Sequence, residues 1–286
     1  MKNGKAIFLV LALLWTLAAS AQQQKPQPLT FWSEYAVKPG KEDEFMNLVK
    51  TIGEPVRDKL MAEGVVLAWG IDVPLLRGPS GVNRLIWYAV NDWSGVEKVQ
   101  AGIQAQLAKI AAEEAKSGES GKKGQKSSMT TAQRVQEVFD ASKTRDYLTR
   151  DLVFVAGHTM PPAGFLPYTR YFFSKAKAGK AGEFRDAWEK YNKPVIDKLV
   201  ADGVILAYGL AIEELRTNPD FTHFTWYSAN SMGAFDKLRD AFIADRERRS
   251  KEERDAIAAL FNELTDADAI RIHVTRAIVF KLPTPK

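Results

Sequence analysis

The chain has 286 residues, 45% of them hydrophobic, and its 40 Lys and Arg outnumber its 35 Asp and Glu, for a formal net charge of +5. It contains no Cys, which excludes disulfides, thiolate metal sites and Cys nucleophiles. Acidic and basic residues alternate, as in residues 245–249 (DRERR), a pattern typical of solvated helix faces. No basic stripe with interleaved aromatic residues is present, so nucleic acid is not an expected partner.

The first 21 residues are a predicted secretory signal peptide. Lys2 and Lys5 give a basic start, residues 7–17 form an apolar stretch too short for a comfortable membrane span, and residues 19–21 (ASA) form a small-residue cleavage site. Their removal lowers the net charge to +3, because it takes away two Lys and no acidic residue. We expect a secreted or periplasmic protein without a lipid anchor or a later membrane span, beginning with a short linker over residues 22–29.

A long segment of the sequence occurs twice. Residues 38–100 recur 139 positions later without a gap; residues 55–70 (PVRDKLMAEGVVLAWG), for example, return as residues 194–209 (PVIDKLVADGVILAYG). A repeat of this length exceeds a solenoid unit of about 20 to 50 residues, so it indicates a duplicated domain. We assign the first copy to residues 30–157 and the second to residues 168–286, joined by a Pro-containing linker over residues 158–167.

The duplication continues with a shorter offset. Residues 140–154 match residues 266–280 at an offset of 126, which leaves 13 extra residues in the first copy. Residues 116–128 (KSGESGKKGQKSS) have no apolar side chain to bury, so they are predicted to be a mobile loop.

Each copy shows the order β-α-β-β-α-β, the ferredoxin-like arrangement. The first helix of each copy has its apolar residues on one face, contains a proline (Pro55 or Pro194) that should kink or break it, and ends at a glycine (Gly64 or Gly203) suited to a left-handed cap. The predicted strands are residues 31–37, 65–73, 83–91 and 148–156, and residues 169–176, 204–212, 222–230 and 274–281.

These strands carry apolar residues on both faces, so a sheet covered by helices on one side needs a second cover. The second copy has the same requirement, and two such sheets can close at their edges into a barrel. The predicted fold class is therefore α+β: two tandem ferredoxin-like βαββαβ repeats packed as an intramolecular pseudo-dimeric α+β barrel. Because the chain supplies its own symmetric partner, a monomer is expected.

The start of the first copy, residues 37–45 (VKPGKEDEF), is similar to the strand-turn-helix opening of the dimeric α+β barrel superfamily, in its antibiotic-biosynthesis-monooxygenase, EthD-like and NIPSNAP-like branches. In element order the resemblance covers nearly all of the mature chain. It implies a range of functions: cofactor-independent oxygenases, haem-handling enzymes, isomerases and ligand binders. The haem-degrading branch ligates iron through a helix His, and no predicted helix here contains one.

The three His residues are His158, His223 and His273, and they form no cluster with ligand spacing, so neither a metal nor another cofactor is expected. His223 alternates with Thr225 and Tyr227 along a predicted strand, and Arg84, Ile86 and Tyr88 form the matching face of the first copy. This is the more polar face, so we predict that it points between the two sheets. These side chains either satisfy one another in a barrel core or line a ligand pocket.

Residues that differ between the copies are the stronger site candidates, because a symmetric barrel needs each structural residue twice. Four such residues are Glu34, Arg84, Arg170 and Asp151, whose counterparts are Phe173, His223, Phe31 and Ala277. Glu34 and His223 are the candidate catalytic bases. The candidate ligand contacts are Tyr227, Tyr88, Arg84, Trp32 and His273. The recurring Arg77 and Arg216 are predicted to tie a hairpin to a helix carboxylate, Asp58 or Asp197, with an anion clamp as the alternative.

The sequence thus predicts a secreted protein that binds a small apolar or aromatic molecule between its sheets. One alternative is a cofactor-independent monooxygenase or isomerase that uses His223 or Glu34 as its base. Another is a non-enzymatic structural protein of the cell envelope whose barrel is filled by its own side chains. A cavity of roughly 300 Å³ or more separates the first two functions from the third.

Overall fold

The computed structural model describes residues 27–76, 78, 80–119, 129–157, 164–215, 217 and 220–283. The predicted signal peptide, Arg77, Arg216 and His158 lie outside these residues, as do residues 120–128 of the predicted loop and residues 158–163 of the predicted linker. Within the described residues, no helix combines the length and the apolar character that a bilayer span requires.

Eight antiparallel strands form one closed barrel in the order β1-β3-β2-β8-β5-β7-β6-β4, with β4 paired back to β1. The strands are β1 (Leu29–Tyr35), β2 (Val66–Pro74), β3 (Arg84–Val90), β4 (Arg145–Ala156), β5 (Tyr168–Ser174), β6 (Ala207–Glu213), β7 (His223–Ala229) and β8 (Arg271–Lys281). Strands β1 to β4 are contiguous in the ring, and so are β5 to β8. Two seams join these sets, β2 with β8 and β4 with β6.

Helices cover the outside of the barrel. They are α1 (Glu42–Leu48), α2 (Glu54–Ala62), α3 (Trp93–Glu119), α4 (Thr131–Val138), α5 (Ala181–Tyr191), α6 (Lys193–Ala201), α7 (Gly233–Glu247) and α8 (Lys251–Leu264). A π-helical segment, Val49–Gly53, joins α1 to α2, and short 3₁₀ turns precede β4 and β8. Because α3 runs to Glu119, residues 116–119 of the predicted loop continue this helix.

The first predicted helix of each copy is interrupted near its proline: a π-helical segment precedes Pro55, and α5 ends at Tyr191, ahead of Pro194. Pro55 is in the first turn of α2 and Pro194 in the first turn of α6, where a missing backbone N–H costs no helical hydrogen bond. Gly64 and Gly203 follow the two helices with φ of 75° and 69°, the left-handed conformation that the sequence predicted.

The predicted inward face of the strands is wrong. Phe224 packs with Trp32 and Tyr171 inside the barrel, whereas Tyr88 and Tyr227 lie on the outer face under the helices. The outer face accepts polar groups because the helices supply partners: Nε2 of Gln100 donates to the Tyr88 hydroxyl at 3.1 Å. The barrel interior takes an aromatic cluster around Trp32 and Tyr171, so the more polar strand face is not the inward one.

Two glycines of the barrel wall leave room for these rings. A Cβ on Gly70 would lie 2.8 Å from the ring of Trp87, and one on Gly209 would lie 2.5 Å from Nε1 of Trp226. Each tryptophan ring therefore lies directly against a glycine, on a strand that borders a seam. This close approach helps five tryptophan and tyrosine rings and three phenylalanines to pack in one interior cluster.

Candidate functional site

The barrel interior is packed with aromatic rings. The Trp32 ring meets those of Tyr171 and Phe224 edge to face, with centroids 5.6 and 5.8 Å away, and stacks on Tyr147 at 6.0 Å. A void of about 10 Å³ remains near Glu34, which is room for about one water molecule. The predicted ligand position between the sheets is therefore wrong, because the rings already occupy that space.

Three predicted site residues do come together at this small void: Trp32, Glu34 and His273. The Tyr147 hydroxyl donates to Oε1 of Glu34 at 3.3 Å, and burial raises the pKa of that carboxyl above its ordinary value. His273 packs its ring against Phe173 at 5.4 Å, and partial burial lowers the pKa of its imidazole. The arrangement holds a proton between Glu34 and Tyr147 but offers no space for a substrate.

A buried carboxylate lies at each seam of the barrel. Asp72, on β2, accepts hydrogen bonds from Thr275 at 2.9 Å, Tyr171 at 3.1 Å and Nε1 of Trp87 at 3.3 Å. Burial still raises the pKa of the Asp72 carboxyl, although all three hydrogen bonds act in the opposite direction. Asp72 was not among the predicted site residues, although its position in the second copy is Ala211, so the rule of differing residues would have found it.

The second seam satisfies its carboxylate less well. Asp151, on β4, accepts from Nε1 of Trp226 at 3.3 Å. Trp32 stands where the first seam has Tyr171, and its Nε1 donates to Oγ1 of Thr149 at 3.0 Å instead of to the carboxylate. Burial therefore raises the pKa of Asp151 to about 7, against a weaker opposing effect of the Trp226 hydrogen bond.

His223 belongs to the layer between sheet and helices. Its side chain is 2% exposed, its ring lies 4.9 Å from that of Phe184 on α5, and its Nδ1 lies 2.8 Å from Oγ1 of Thr222. The predicted position of His223 between the sheets is wrong because its face of β7 points outward, under the helices. Its environment is that of a packed core residue.

Arg84 and Tyr88 lie apart from the other predicted contacts. Both are on the outer face of β3, under the helices of the first strand set. Nη1 of Arg84 donates to the carbonyl of Asn83 at 2.7 Å, and Phe31 stacks on Tyr88 at 5.2 Å. The predicted site residues thus lie in three places: the barrel interior, the outer face of the first strand set and the outer face of the second.

A cavity of about 590 Å³ lies between the outer face of β5 and β7 and the helices α5, α7 and α8. Tyr227 is the one predicted ligand contact that lines it. Its aromatic lining residues are Phe172, Phe184, Trp188, Tyr191, Tyr227, Phe242 and Phe261. Exposed residues at its rim, among them Arg246 and Ala258, show that the cavity opens to solvent.

Five arginines also line this cavity: Arg170, Arg239, Arg246, Arg249 and Arg254. Arg249 donates twice to Asp245, at 2.8 and 3.0 Å, and its guanidinium lies 5.6 Å from the ring centre of Tyr191. The cavity therefore combines aromatic walls with positive charge, which suits a largely apolar molecule that also carries polar groups.

In the first strand set an arginine packs into the layer between the sheet and the helices. Above Tyr88, the side chain of Arg57 from α2 is 6% exposed and lies 5.5 Å from the ring centre of Trp69 and 5.8 Å from that of Tyr88. In the second copy the position of Arg57 is Ile196, which is shorter. The two sets thus share a strand pattern but differ in what occupies the layer under the helices.

The sequence contained a pattern that points to this cavity. Three helix positions that are Val49, Ile52 and Ile103 in the first copy are aromatic in the second: Trp188, Tyr191 and Phe242. All three aromatic residues line the cavity. Our prediction missed them because recurring apolar positions were interpreted as core whatever their size.

No protein-family model matches the sequence, and a search of the curated proteins finds no match. Among solved structures, the chain is similar to a "putative monooxygenase" of Fusobacterium nucleatum, with a TM-score of 0.55, 9% identity and coverage of 91% of this chain and 96% of that one. It is also similar to an anthrone oxidase-like protein (TM-score 0.53, 11% identity, coverage 92% and 96%). A "putative monooxygenase" of Lactobacillus acidophilus gives a TM-score of 0.52, 10% identity and coverage of 89% and 100%.

At these identities the likeness concerns the fold alone. The closed eight-stranded α+β barrel agrees with the predicted fold class, and each neighbour is matched over nearly its whole length. One chain of each neighbour therefore spans the same barrel.

Replacing His223 with Ala is expected to lower the free energy of unfolding by about 2–3 kcal/mol, because it removes a buried ring and the contact with Thr222. Urea denaturation measures the loss. The matched control is His273→Ala, whose side chain is largely exposed and loses one ring contact with Phe173, so it is expected to cost about 1 kcal/mol or less. An equal effect of the two substitutions would contradict the core assignment of His223.

Replacing Asp151 with Asn is expected to stabilise the fold, relative to wild type, increasingly as pH rises. The pKa of about 7 in the folded state lies above the unfolded value of about 3.9, so wild-type stability falls between these two values and levels off above pH 7. Asn keeps an acceptor for Trp226 and has no charge to bury. From pH 4 to pH 8, urea unfolding should show the variant gaining on the order of 2–4 kcal/mol over wild type. Asp202→Asn, at an exposed position after α6, controls for the loss of one negative charge; a parallel pH course of Asp151→Asn and wild type would refute the assignment.

Proposed function

We propose that the protein binds a small, largely apolar or aromatic molecule in the cavity between the β5–β7 face and the helices α5, α7 and α8. The observation that carries this proposal is the volume of about 590 Å³, walled by aromatic side chains and open to solvent. Ligand sites in proteins are concave, mostly apolar, and about 300–1,000 Å³ in volume. The cavity fits that description, and the interior of the barrel does not.

The alternative functions predicted from the sequence, a structural protein and an oxygenase or isomerase, receive different support. A barrel filled by its own side chains describes the interior but leaves the outer cavity unexplained. The oxygenase and isomerase alternatives lose their candidate bases, since neither His223 nor Glu34 lines the cavity. Two neighbours are described as monooxygenases and one as anthrone oxidase-like, but identities of 9% to 11% support a shared fold only. The proposal therefore stops at binding.

The proposal extends to how the barrel is built. Two tandem ferredoxin-like units within one chain account for the recurrence of residues 38–100 and for matching strand registers. Phe31 pairs with Tyr88 between β1 and β3, and Arg170 pairs with Tyr227 at the same place between β5 and β7. One chain then completes the barrel, which favours a monomer. The basic start, apolar stretch and small-residue site of residues 1–21 favour export.

Blocking the cavity is expected to abolish binding. Ala258 on α8 lines the cavity and Ala259 next to it does not, and both side chains are exposed. With the neutral fluorescent probe N-phenyl-1-naphthylamine, Ala258→Trp should weaken binding by about tenfold or more, which corresponds to about 1.4 kcal/mol. Ala259→Trp should leave the affinity within about twofold, since 0.4 kcal/mol is a change of that size. Equal affinities of the two variants would place the probe elsewhere.

Export and a monomeric state can be tested in one measurement. Native mass spectrometry of the protein exported by a bacterial host should report one copy of a chain that begins near Gln22. Retention of residues 1–21 would contradict the signal peptide, and a mass of two chains would contradict the self-contained barrel.

A further inference from the structure

Arg170 places a charge on the floor of the proposed binding cavity. It lies on the outer face of β5, next to Tyr227 of β7, and its half-buried side chain lines the cavity. In the first strand set the same register position is Phe31, which stacks on Tyr88. A ring that would complete an apolar layer is thus replaced by a guanidinium only where there is a cavity.

The other cavity arginines have partners or lie in water. Arg239 bonds to Asp240 at 3.0 Å, Arg249 to Asp245, and Arg254 to the carbonyl of Arg249 at 3.4 Å. Arg246 is exposed at the rim. The side chain of Arg170 forms no hydrogen bond or salt bridge within the described part of the chain.

A half-buried guanidinium without a counter-ion is costly, since its charge is partly removed from water. A bound anion would compensate that cost. Arg presents a planar fork of N–H donors that matches the two oxygens of a carboxylate, and such charge-assisted pairs are among the strongest hydrogen bonds in proteins. The neighbouring Tyr227 keeps its proton, because burial raises the pKa of its phenol well above the ordinary value, so its hydroxyl remains a donor.

We propose that the ligand is an organic acid whose carboxylate binds Arg170 on the cavity floor while its aromatic or aliphatic body packs against the rings of α5, α7 and α8. This inference rests on the proposed binding function and specifies the chemical class of the ligand. Phe184, Trp188, Phe242 and Phe261 supply the apolar contacts. Arg170 then decides which apolar molecules are accepted, since a neutral analogue leaves the guanidinium unpaired.

A matched pair of probes tests the charge. 2-Naphthoate and 2-naphthamide share one apolar body and differ in charge, and each can be titrated against bound N-phenyl-1-naphthylamine at pH 7.5. Wild-type protein should bind the carboxylate about tenfold or more tightly than the amide. Arg170→Gln should remove that preference while keeping its affinity for the amide and for the neutral probe. Arg248→Gln removes one positive charge from an exposed side chain that does not line the cavity, so it should keep the preference and serves as the control.

The outcomes separate this inference from the proposed function. If the neutral probe binds but wild type does not prefer the carboxylate, the cavity binds ligands and the role of Arg170 is refuted. If the neutral probe does not bind at all, both proposals fail. Should Arg170→Gln lose the neutral probe through misfolding, Arg170→Met is the second variant, with a side chain of similar reach and no charge. A preference that survives in either variant that still binds the neutral probe overturns the inference.

Discussion

The inward side chains of the eight strands fill the barrel, and this constraint decides where everything else can lie. Trp32, Tyr171 and Phe224 meet edge to face at its centre, an arrangement that aromatic rings favour. A ring-filled barrel cannot admit a ligand without unpacking, so a binding site has to form on the outer face of the sheet. There the second strand set leaves a cavity under its helices, whereas in the first set Arg57 packs between Trp69 and Tyr88. The cavity thus follows from how the helical layer closes over the second strand set.

The two strand sets pair in matching registers but differ in charge. Asp72 at one seam faces Ala277, and Asp151 at the other faces Ala211, so each seam carries one carboxylate against one methyl group. Three donors surround Asp72, whereas Asp151 has Trp226, because a tryptophan in place of a tyrosine redirects its donor to a threonine. A buried carboxylate with few donors costs free energy of folding unless it is protonated. Two arginines are also placed differently in the two halves: Arg57 lies on a helix of the first half, and Arg170 lies on a strand of the second.

Local rules predicted much of the fold. The order of strands and helices along the chain, the helix interruptions near Pro55 and Pro194 and the caps at Gly64 and Gly203 follow from patterns and backbone preferences that act over a few residues. The orientation of the strands could not be derived in that way, since both faces are apolar and the choice depends on ring volumes brought together from both halves. The cavity depends on the distance between the sheet and the helices α7 and α8. The alternation of residues along the strands does not predict that distance. Arg170 and Asp151 were nevertheless identified, because residues that differ between recurring segments escape the symmetric demands of the fold.

Ring closure makes the two halves of the chain mutually dependent. The hydrogen bond from Thr275 to Asp72 joins residues 203 positions apart, and without it β2 is an open edge with an inward carboxylate. Until β8 has been synthesised, the backbone donors and acceptors on this edge of β2 are therefore free to pair with any other extended chain. Because closing such long loops delays productive contacts, folding should be slow, with the edge exposed to aggregation in the meantime. The order of strands in the ring thus makes β2, one of the first strands to be synthesised, dependent on the last.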